Sequence, residues 1–581
     1  MKNVNLKVNG VPVTVPEGTR ILDAAIKAGF NVPTLCYMKD LCNESSCRVC
    51  VVELSSRPKL VTACSTLVAE GMEVLTNTPK VRAARKITLE LMLSNHHKDC
   101  LSCVRSGNCE LQSLATEYGC DYKKYEGEMN DYDVDDVSPF IVRDNNKCIL
   151  CRRCVAACNN VQTVGVIDAG NRGFATKIGS PFGRSLSDVP CVACGQCINV
   201  CPTGALREKS GIEQVEALLA DKSKTVIVGT APAVRAALGE EFGYPIGTDT
   251  EGRMVAALKA IGFDKVFDVN MAADMTIMEE GTEFINRLND KNAVLPMITS
   301  CSPGWIRFIE FNYPELLPNL SSCKSPQQMF GAIMKTYYAQ KMGIDPKNLA
   351  VVTVMPCIAK KFELTRDDQS AAGVPDIDAS ITTRELAHMI KNYGIDFKKL
   401  DPKAEFDNPI GKGSTAGLIF GATGGVMEAA LRTVAEVVTK KTLDNIDFKA
   451  VRGTKGIKEA TITLAGKQIN IAVASGLANA RKIMDEIKAG KSKYHFIEIM
   501  ACPGGCVNGG GQPIVSSATR NVVDVAKTRA SVLYKKDKKN ELRKSHENPV
   551  VKTLYAEYFG EPGSHKAHET LHTSYVARKK Y

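Results

Sequence analysis

Cys148-Ile149-Leu150-Cys151-Arg152-Arg153-Cys154, closed by Cys158, is echoed 43 residues later by Cys191-Val192-Ala193-Cys194-Gly195-Gln196-Cys197 and Cys201, with Pro202 following. Each half reads CxxCxxCxxxC. Soft thiolates match the iron of iron-sulfur clusters, and in this spacing the fourth cysteine of each run ligates the other half's cluster. Cys148, Cys151, Cys154 and Cys201 therefore form one 4Fe-4S ligand set, and Cys191, Cys194, Cys197 and Cys158 the other. The exchange predicts one ferredoxin domain with two clusters over residues 138–209.

Upstream, Val4, Leu6 and Val8 alternate, as do Val11, Val13 and Val15, on either side of Asn9-Gly10, which predicts a β-hairpin. Ile21, Leu22, Ala25 and Ile26 then recur at helical spacing ahead of Gly29, a residue suited to a helix C-cap. Cys36, Cys47, Cys50 and Cys64 follow and suit a 2Fe-2S cluster. The spacing is longer than in plant-type ferredoxins. It resembles the N-terminal module of respiratory complex I and of multidomain hydrogenases, which implies a β-grasp ferredoxin-like domain over residues 1–78. His96, Cys100, Cys103 and Cys109 offer one imidazole and three thiolates. Spacing alone admits structural zinc; the pattern is similar to the 4Fe-4S module that follows the 2Fe-2S domain in that family, here residues 79–126. An acidic linker, Asp131 to Asp136, is expected before the two-cluster domain.

Downstream, three apolar runs each lead to a cysteine: Leu295 to Cys301, Val351 to Cys357, and Phe496 to Cys502. They read as buried parallel strands. With helical stretches such as Val426 to Val434 between them, they predict a large α/β domain with parallel sheets over residues 210–520. The whole chain is then a multidomain α/β and α+β protein. Ligands in open α/β folds bind beyond the carboxyl ends of strands, where these thiols would converge. Cys506 follows in a glycine-rich loop that lets backbone approach a ligand closely.

Thr299-Ser300-Cys301-Ser302-Pro303-Gly304-Trp305, Met355-Pro356-Cys357 with Lys360 to Glu363, and Met500-Ala501-Cys502-Pro503-Gly504-Gly505-Cys506 resemble the three signatures of iron-iron (FeFe) hydrogenases. The likeness spans nearly the whole chain, including residues 521–581, which resemble the family's small subunit. It implies reversible interconversion of dihydrogen with protons and electrons. It also implies a 4Fe-4S cluster bridged through Cys506 to a diiron unit with CO and CN ligands, besides one 2Fe-2S and three accessory 4Fe-4S clusters. Lys360 matches the lysine that donates to a cyanide ligand; Ala231, Pro232, Met355, Met500 and Gly421 match positions lining the pocket. Cys301, Glu280, Ser321, Glu283 and Arg287 match the proton path. On spacing alone, Glu280, Glu283 and Arg287 read first as a charged helix face. The chain departs from the family at one place: many members have a second cysteine where this chain has Ser302. Cys357, Cys502 and Cys506 then supply three thiolates, leaving the fourth ligand open among Ser302, Cys301 and Cys323. Cys42 and Cys120 remain unassigned.

The 581 residues exceed one core and suggest roughly four domains. Met1 to Asn5 opens no secretory signal, and no apolar run nears the ~20 residues of a membrane span. A cytoplasmic protein is expected, where 22 clustered cysteines mean metal rather than disulfides. The net charge of +10, with a basic tail at Lys535, Lys536, Lys538 and Lys539, favours acidic partners such as ferredoxin. With no nucleotide-binding glycine motif, NAD(P)-linked chemistry would need diaphorase-type partner subunits; maturation proteins would supply the diiron unit. One tryptophan and no basic stripe with interleaved aromatics speak against nucleic acid. The competing readings are an electron-wire subunit, which would not need Cys301, Lys360 and the Cys502 motif together, and an iron-sulfur assembly protein lacking the diiron unit.

Overall fold

The computed structural model describes residues 2–410, 412–443, 445–464 and 466–580. Strands β1 (Asn3–Val8) and β2 (Val11–Pro16) pair antiparallel around Asn9-Gly10, both at positive φ (48° and 82°), as a type I′ turn requires. Val4, Leu6 and Val8 face inward onto a core shared with helix α1 (Ile21–Lys27). With β3 (Val51–Leu54), β4 (Arg57–Thr62) and β5 (Glu73–Leu75) the sheet order is β2-β1-β5-β3-β4. Cys50 precedes β3 and Cys64 follows β4, so pairing of those strands brings the two sulfurs to 3.3 Å. Helices α2 (Pro79–Ser94) and α3 (Glu110–Glu117) carry the next module, with His96 just beyond α2 and Cys109 at the N-cap of α3.

The cysteine repeat is visible in the backbone of its domain. Leu150 and Arg152 in the first half, and Ala193 and Gly195 in the second, adopt left-handed φ at equivalent places beside Cys151 and Cys194. Each loop then enters a short helix, α4 (Arg153–Ala156) or α5 (Gln196–Val200), and β6 (Ile141–Arg143) pairs antiparallel with β7 (Leu206–Glu208) to close the domain. The acidic stretch ahead of it is no free linker. Asp135 bonds Arg143 at 2.9 Å and accepts from Leu186 N at 3.2 Å, because the buried Arg143 guanidinium needs a carboxylate beside it.

The largest domain holds two four-stranded sheets. β8 (Thr225–Thr230), β9 (Lys265–Asp268), β11 (Leu349–Met355) and β12 (Ala379–Thr382) form the all-parallel order β9-β8-β11-β12. β10 (Met297–Ile298) and β15 (Phe496–Met500) belong to the other sheet, β10-β15-β14-β13, in which β13 (Ile457–Leu464) and β14 (Lys467–Ser475) form an antiparallel hairpin. The expectation of parallel sheets is corrected at this edge. One side of β13 is half-buried or exposed, which an antiparallel edge tolerates and a strand covered on both faces does not. The run leading to Cys301 yields only the two residues of β10. Helix α6 (Asn270–Asn289), buried along most of its length, packs against the helices Pro326–Ile333, Thr415–Ile419 and Gly425–Thr439.

Helices α7 (Pro303–Asn312), α8 (Pro326–Ile333), α9 (Ala359–Glu363) and α10 (Gly425–Thr439) surround the sheets. The C-terminal segment wraps them with α11 (Val525–Lys539), α12 (His565–Leu571) and an extended strap. The basic run expected as a tail forms the last turns of α11, and Lys536 pairs with Glu251 at 2.6 Å. Asp537 on α11 enters the core, taking bonds of 3.0 and 2.9 Å from the fully buried Arg432 and one of 2.8 Å from Arg543. Asp537→Ala is expected to destabilise the domain by about 3 kcal/mol, the lower end for a broken buried pair, because Glu428 still bonds Arg432 at 2.9 Å. Denaturant unfolding followed by the fluorescence of Trp305, the single tryptophan and fully buried, measures this.

Candidate cluster chain and active site

Cys36, Cys47, Cys50 and Cys64 are all buried in the first domain. Hydrogen bonding from Cys47 pulls the Cys36 thiol below its usual value, so the pocket favours a thiolate there. His96 is 8% exposed, its Nδ1 has no hydrogen-bond partner among the described residues, and burial lowers it to about 4. A neutral imidazole with an orphaned nitrogen is the form a metal takes. Cys148, Cys151, Cys154 and Cys201 line one cavity of about 470 Å³; Cys158, Cys191, Cys194 and Cys197 line a second of about 450 Å³. The cysteines are thus gathered in the crossed groups read from the repeat. Burial pushes Cys148 up to about 12, and a bound metal's charge would offset that penalty. The donor sets fit iron-sulfur clusters.

A larger cavity, about 740 Å³, lies where the carboxyl ends of both sheets meet. β8 delivers Ala231-Pro232, β11 delivers Met355 and Cys357, and β15 delivers Met500 and Cys502; Cys301, Ser302, Lys360, Gly421 and Cys506 complete the wall. Four thiols, one lysine and a mostly apolar lining suit an enclosed metal cofactor. Lys360 Nζ donates to Glu363 at 3.0 Å, to Ser325 Oγ at 2.6 Å and to the Cys301 carbonyl at 3.3 Å. Ser302 Oγ accepts from Ala501 N at 3.2 Å, which ties the first motif to the third. The third motif and the glycine loop after it are also fixed against the repeat domain: Gln162 Nε2 donates to Ala501 O at 2.9 Å, and Asn199 Nδ2 to Gly509 O at 2.9 Å. Gly195 permits this approach, since its φ is +69° and a Cβ there would stand 3.0 Å from Gly510 Cα.

Beside the cavity, α6 presents Glu280, Glu283 and Arg287. Glu280 is fully buried, neither of its carboxylate oxygens makes a hydrogen bond among the described residues, and burial together with the Glu283 charge raises it to about 8. Glu283 accepts from Ser321 Oγ at 3.0 Å, Ser322 N at 3.0 Å and Arg287 at 2.6 Å. Burial and the Glu280 charge push the Cys301 thiol well up, so it holds its proton firmly. Cys323 does not line the larger cavity. It lines a small one with Ser300 and Tyr575, its Sγ 3.9 Å from Glu283 Oε2.

Residues 224–510 match the family model described as iron only hydrogenase large subunit, C-terminal domain, and residues 523–578 match the iron hydrogenase small subunit. Upstream, residues 1–79 match a 2Fe-2S iron-sulfur cluster binding domain, 85–124 the NADH-ubiquinone oxidoreductase-G iron-sulfur binding region, and 147–205 a 4Fe-4S dicluster domain. The chain is 49% identical, over all of both chains, to the HndD subunit of the NADP-reducing hydrogenase of Solidesulfovibrio fructosivorans. It belongs to the iron-iron hydrogenase family. Iron hydrogenase 1 of Clostridium pasteurianum is 45% identical over 98% of this chain and 99% of its own. A solved variant of apo FeFe hydrogenase HydA1 from Chlamydomonas reinhardtii aligns with a TM-score of 0.57 at 43% identity, over 64% of this chain and 100% of its own. This FeFe hydrogenase interconverts dihydrogen with protons and electrons, and it carries accessory 2Fe-2S and 4Fe-4S domains. No helix among the described residues is long and apolar enough to cross a membrane. Sequence reasoning alone misses Ser325 as a support of Lys360; the i,i+3 spacing of Lys360 and Glu363 is the signal for the other support.

Proposed function

We propose that the complement of this hydrogenase is one 2Fe-2S cluster on Cys36, Cys47, Cys50 and Cys64; a 4Fe-4S cluster on His96, Cys100, Cys103 and Cys109; two more on the crossed cysteine sets; and an active-site 4Fe-4S cluster on Cys357, Cys502 and Cys506. Ser302, rather than Cys323 in its separate cavity, would take the fourth position. Cys506 would bridge to a diiron unit with CO and CN ligands. The observation that carries this is the 740 Å³ cavity, in which Cys357, Cys502, Cys506 and Lys360 share one mostly apolar wall. When bound, the diiron unit supplies the site at which dihydrogen is split or formed. The chain's own residues do the rest. Lys360, steered by Glu363 and Ser325, would donate a charge-assisted hydrogen bond to a cyanide ligand. Ala231, Pro232, Met355, Met500 and Gly421 shape the pocket and exclude water.

Protons would pass between Cys301 and solvent through Glu280, Ser321, Glu283 and Arg287. A carboxylic acid raised to about 8 can both hold and release a proton near neutrality. Electrons would leave through the repeat domain, whose Cys194 side abuts the glycine loop after the third motif at Gly510, toward ferredoxin or NAD(P)-linked subunits in the cytoplasm. The name of the HndD relative supports the latter partner class. Infrared spectra of the matured chain test the cofactor assignment: bands of metal-bound CO and CN are expected, and a fully iron-loaded chain without them would overturn it.

A further inference from the structure

Helix α7, which opens directly after the first motif, carries a cation that no step above uses. Arg307 is half-buried, its Nε is buried without a partner, and its side chain makes no hydrogen bond or ion pair among the described residues. Three aromatic rings hold it instead: the guanidinium carbon stands 4.6 Å from the ring centre of Phe362, 5.5 Å from that of Phe140 and 5.7 Å from that of Phe311. Glu310, one turn further along α7, is already taken by Arg366 at 2.9 Å and by Arg578 at 2.6 Å, so its own charge is met twice over. Among the anions that bear on Arg307, Cys191 comes ahead of Glu310. The same face of α7 touches the repeat domain, since residues three apart on a helix are neighbours: a Cβ at Gly304 would stand 3.6 Å from the Val192 carbonyl oxygen. Phe140 and Phe362 pack in one apolar cluster with Cys191 and Cys197, and Ile141, next to Phe140 in the chain, lines the cavity that those two cysteines share with Cys158 and Cys194.

We propose that Arg307 is the fixed counter-charge of the 4Fe-4S cluster on Cys158, Cys191, Cys194 and Cys197, and that it holds the reduction potential of that cluster up. A cation drawn out of water with no carboxylate to pair it is unfavourable. The penalty is offset when a group of net negative charge fills the cavity beside it, and a 4Fe-4S core with its thiolates is such a group. Reduction adds one electron to the cluster, forms no bond and breaks none, and deepens that negative charge, so a neighbouring cation favours the reduced form. The electron comes from the active-site cluster when dihydrogen is oxidised and returns to it when dihydrogen is formed. Arginine suits the place: its guanidinium is weakly hydrated, stacks on aromatic faces and stays charged at neutral pH. The buried arginines beside the other cysteine set have their charge answered inside the protein, Arg143 by Asp135 at 2.9 Å and Arg153 by Glu110 at 3.0 Å.

Because the counter-charge rests on the crossed cysteine set proposed above, Cys191→Ala is measured alongside. If Cys191→Ala keeps all of its iron and every cluster midpoint, the crossed-set reading fails, and the counter-charge with it; if one 4Fe-4S cluster is lost, the missing midpoint marks the cluster in question. With that reading intact, a redox titration of the Arg307→Met holoenzyme, followed by electron paramagnetic resonance, tests the counter-charge alone. Methionine packs among the three rings without the charge. The midpoint of the marked cluster is expected to fall by about 59 mV, which is an about tenfold loss in the equilibrium constant of its one-electron reduction, with iron content and the other midpoints unchanged. Arg307→Lys keeps a cation and should recover most of that fall. An unmoved midpoint in Arg307→Met, an equal fall in Arg307→Lys, or a common shift of every midpoint would overturn the proposal. If Arg307→Met fails to load its clusters, Arg307→Gln decides: the same selective fall supports the counter-charge, and a wild-type midpoint refutes it.

Discussion

Cys301→Ala is expected to leave iron content and infrared bands close to wild type while turnover falls by about 10²- to 10⁴-fold, the range a positioned proton donor contributes. The thiol lies on the cavity wall, and the charge of Glu280 on α6 bears on it. A methyl group cannot take or return a proton. The backbone at this position is held independently of the sulfur, since Lys360 Nζ bonds the Cys301 carbonyl at 3.3 Å, so the wall should keep its shape in the variant. The competing role is that Cys301 serves as the fourth cluster ligand, because a thiolate is a softer donor than the Ser302 hydroxyl. The two roles separate in one variant. Loss of the 4Fe-4S signal together with activity would assign the sulfur to the cluster; retention of the signal with loss of activity assigns it to the proton.

Much of the molecule is legible in its sequence because cysteine ligand sets are local. A CxxCxxCxxxC run carries its loop geometry with it, so the crossed groups around Cys158 and Cys201 can be read without the fold. The strands ending near Cys357 and Cys502 are equally plain, as seven- and five-residue runs that are apolar but for Thr353 and Glu498. What the runs do not encode is the neighbour they pair with. Hydrophobic patterning sets which face is buried and is silent on which strand lies alongside. The split into two sheets, and the antiparallel hairpin of Ile457–Leu464 with Lys467–Ser475, therefore emerge only in three dimensions. The same limit hides every contact made by the C-terminal segment. Lys535 to Lys539 look like a solvated tail until Asp537 among them is seen taking the buried Arg432. His572 has no signature in sequence at all, since its partners Ser322 and Glu279 stand 250 and 293 residues away.

Glu280→Gln is expected to have the second large effect, and it moves two observables in opposite directions. Activity should collapse by about 10²-fold or more, because the amide fills the same space but cannot ionise and so breaks the link between Cys301 and Glu283. Stability at alkaline pH should rise. The wild-type carboxyl sits at 0% exposure with no hydrogen bond on either oxygen, and burial with the Glu283 charge lifts it from the ordinary 4.5 to about 8. A group raised on folding contributes stability that is full below the unfolded value and is lost as pH climbs through the folded one. Wild type should therefore weaken between about pH 5 and pH 8, at a rate approaching about 1.4 kcal/mol per pH unit from this group alone. The glutamine has no such slope. Unfolding midpoints of the two chains should converge at low pH and separate on the alkaline side, with the inactive variant the more stable. A stability difference that did not change with pH would mean that Glu280 is ionised throughout, and an anion fixed at that position could not serve as a reversible proton station.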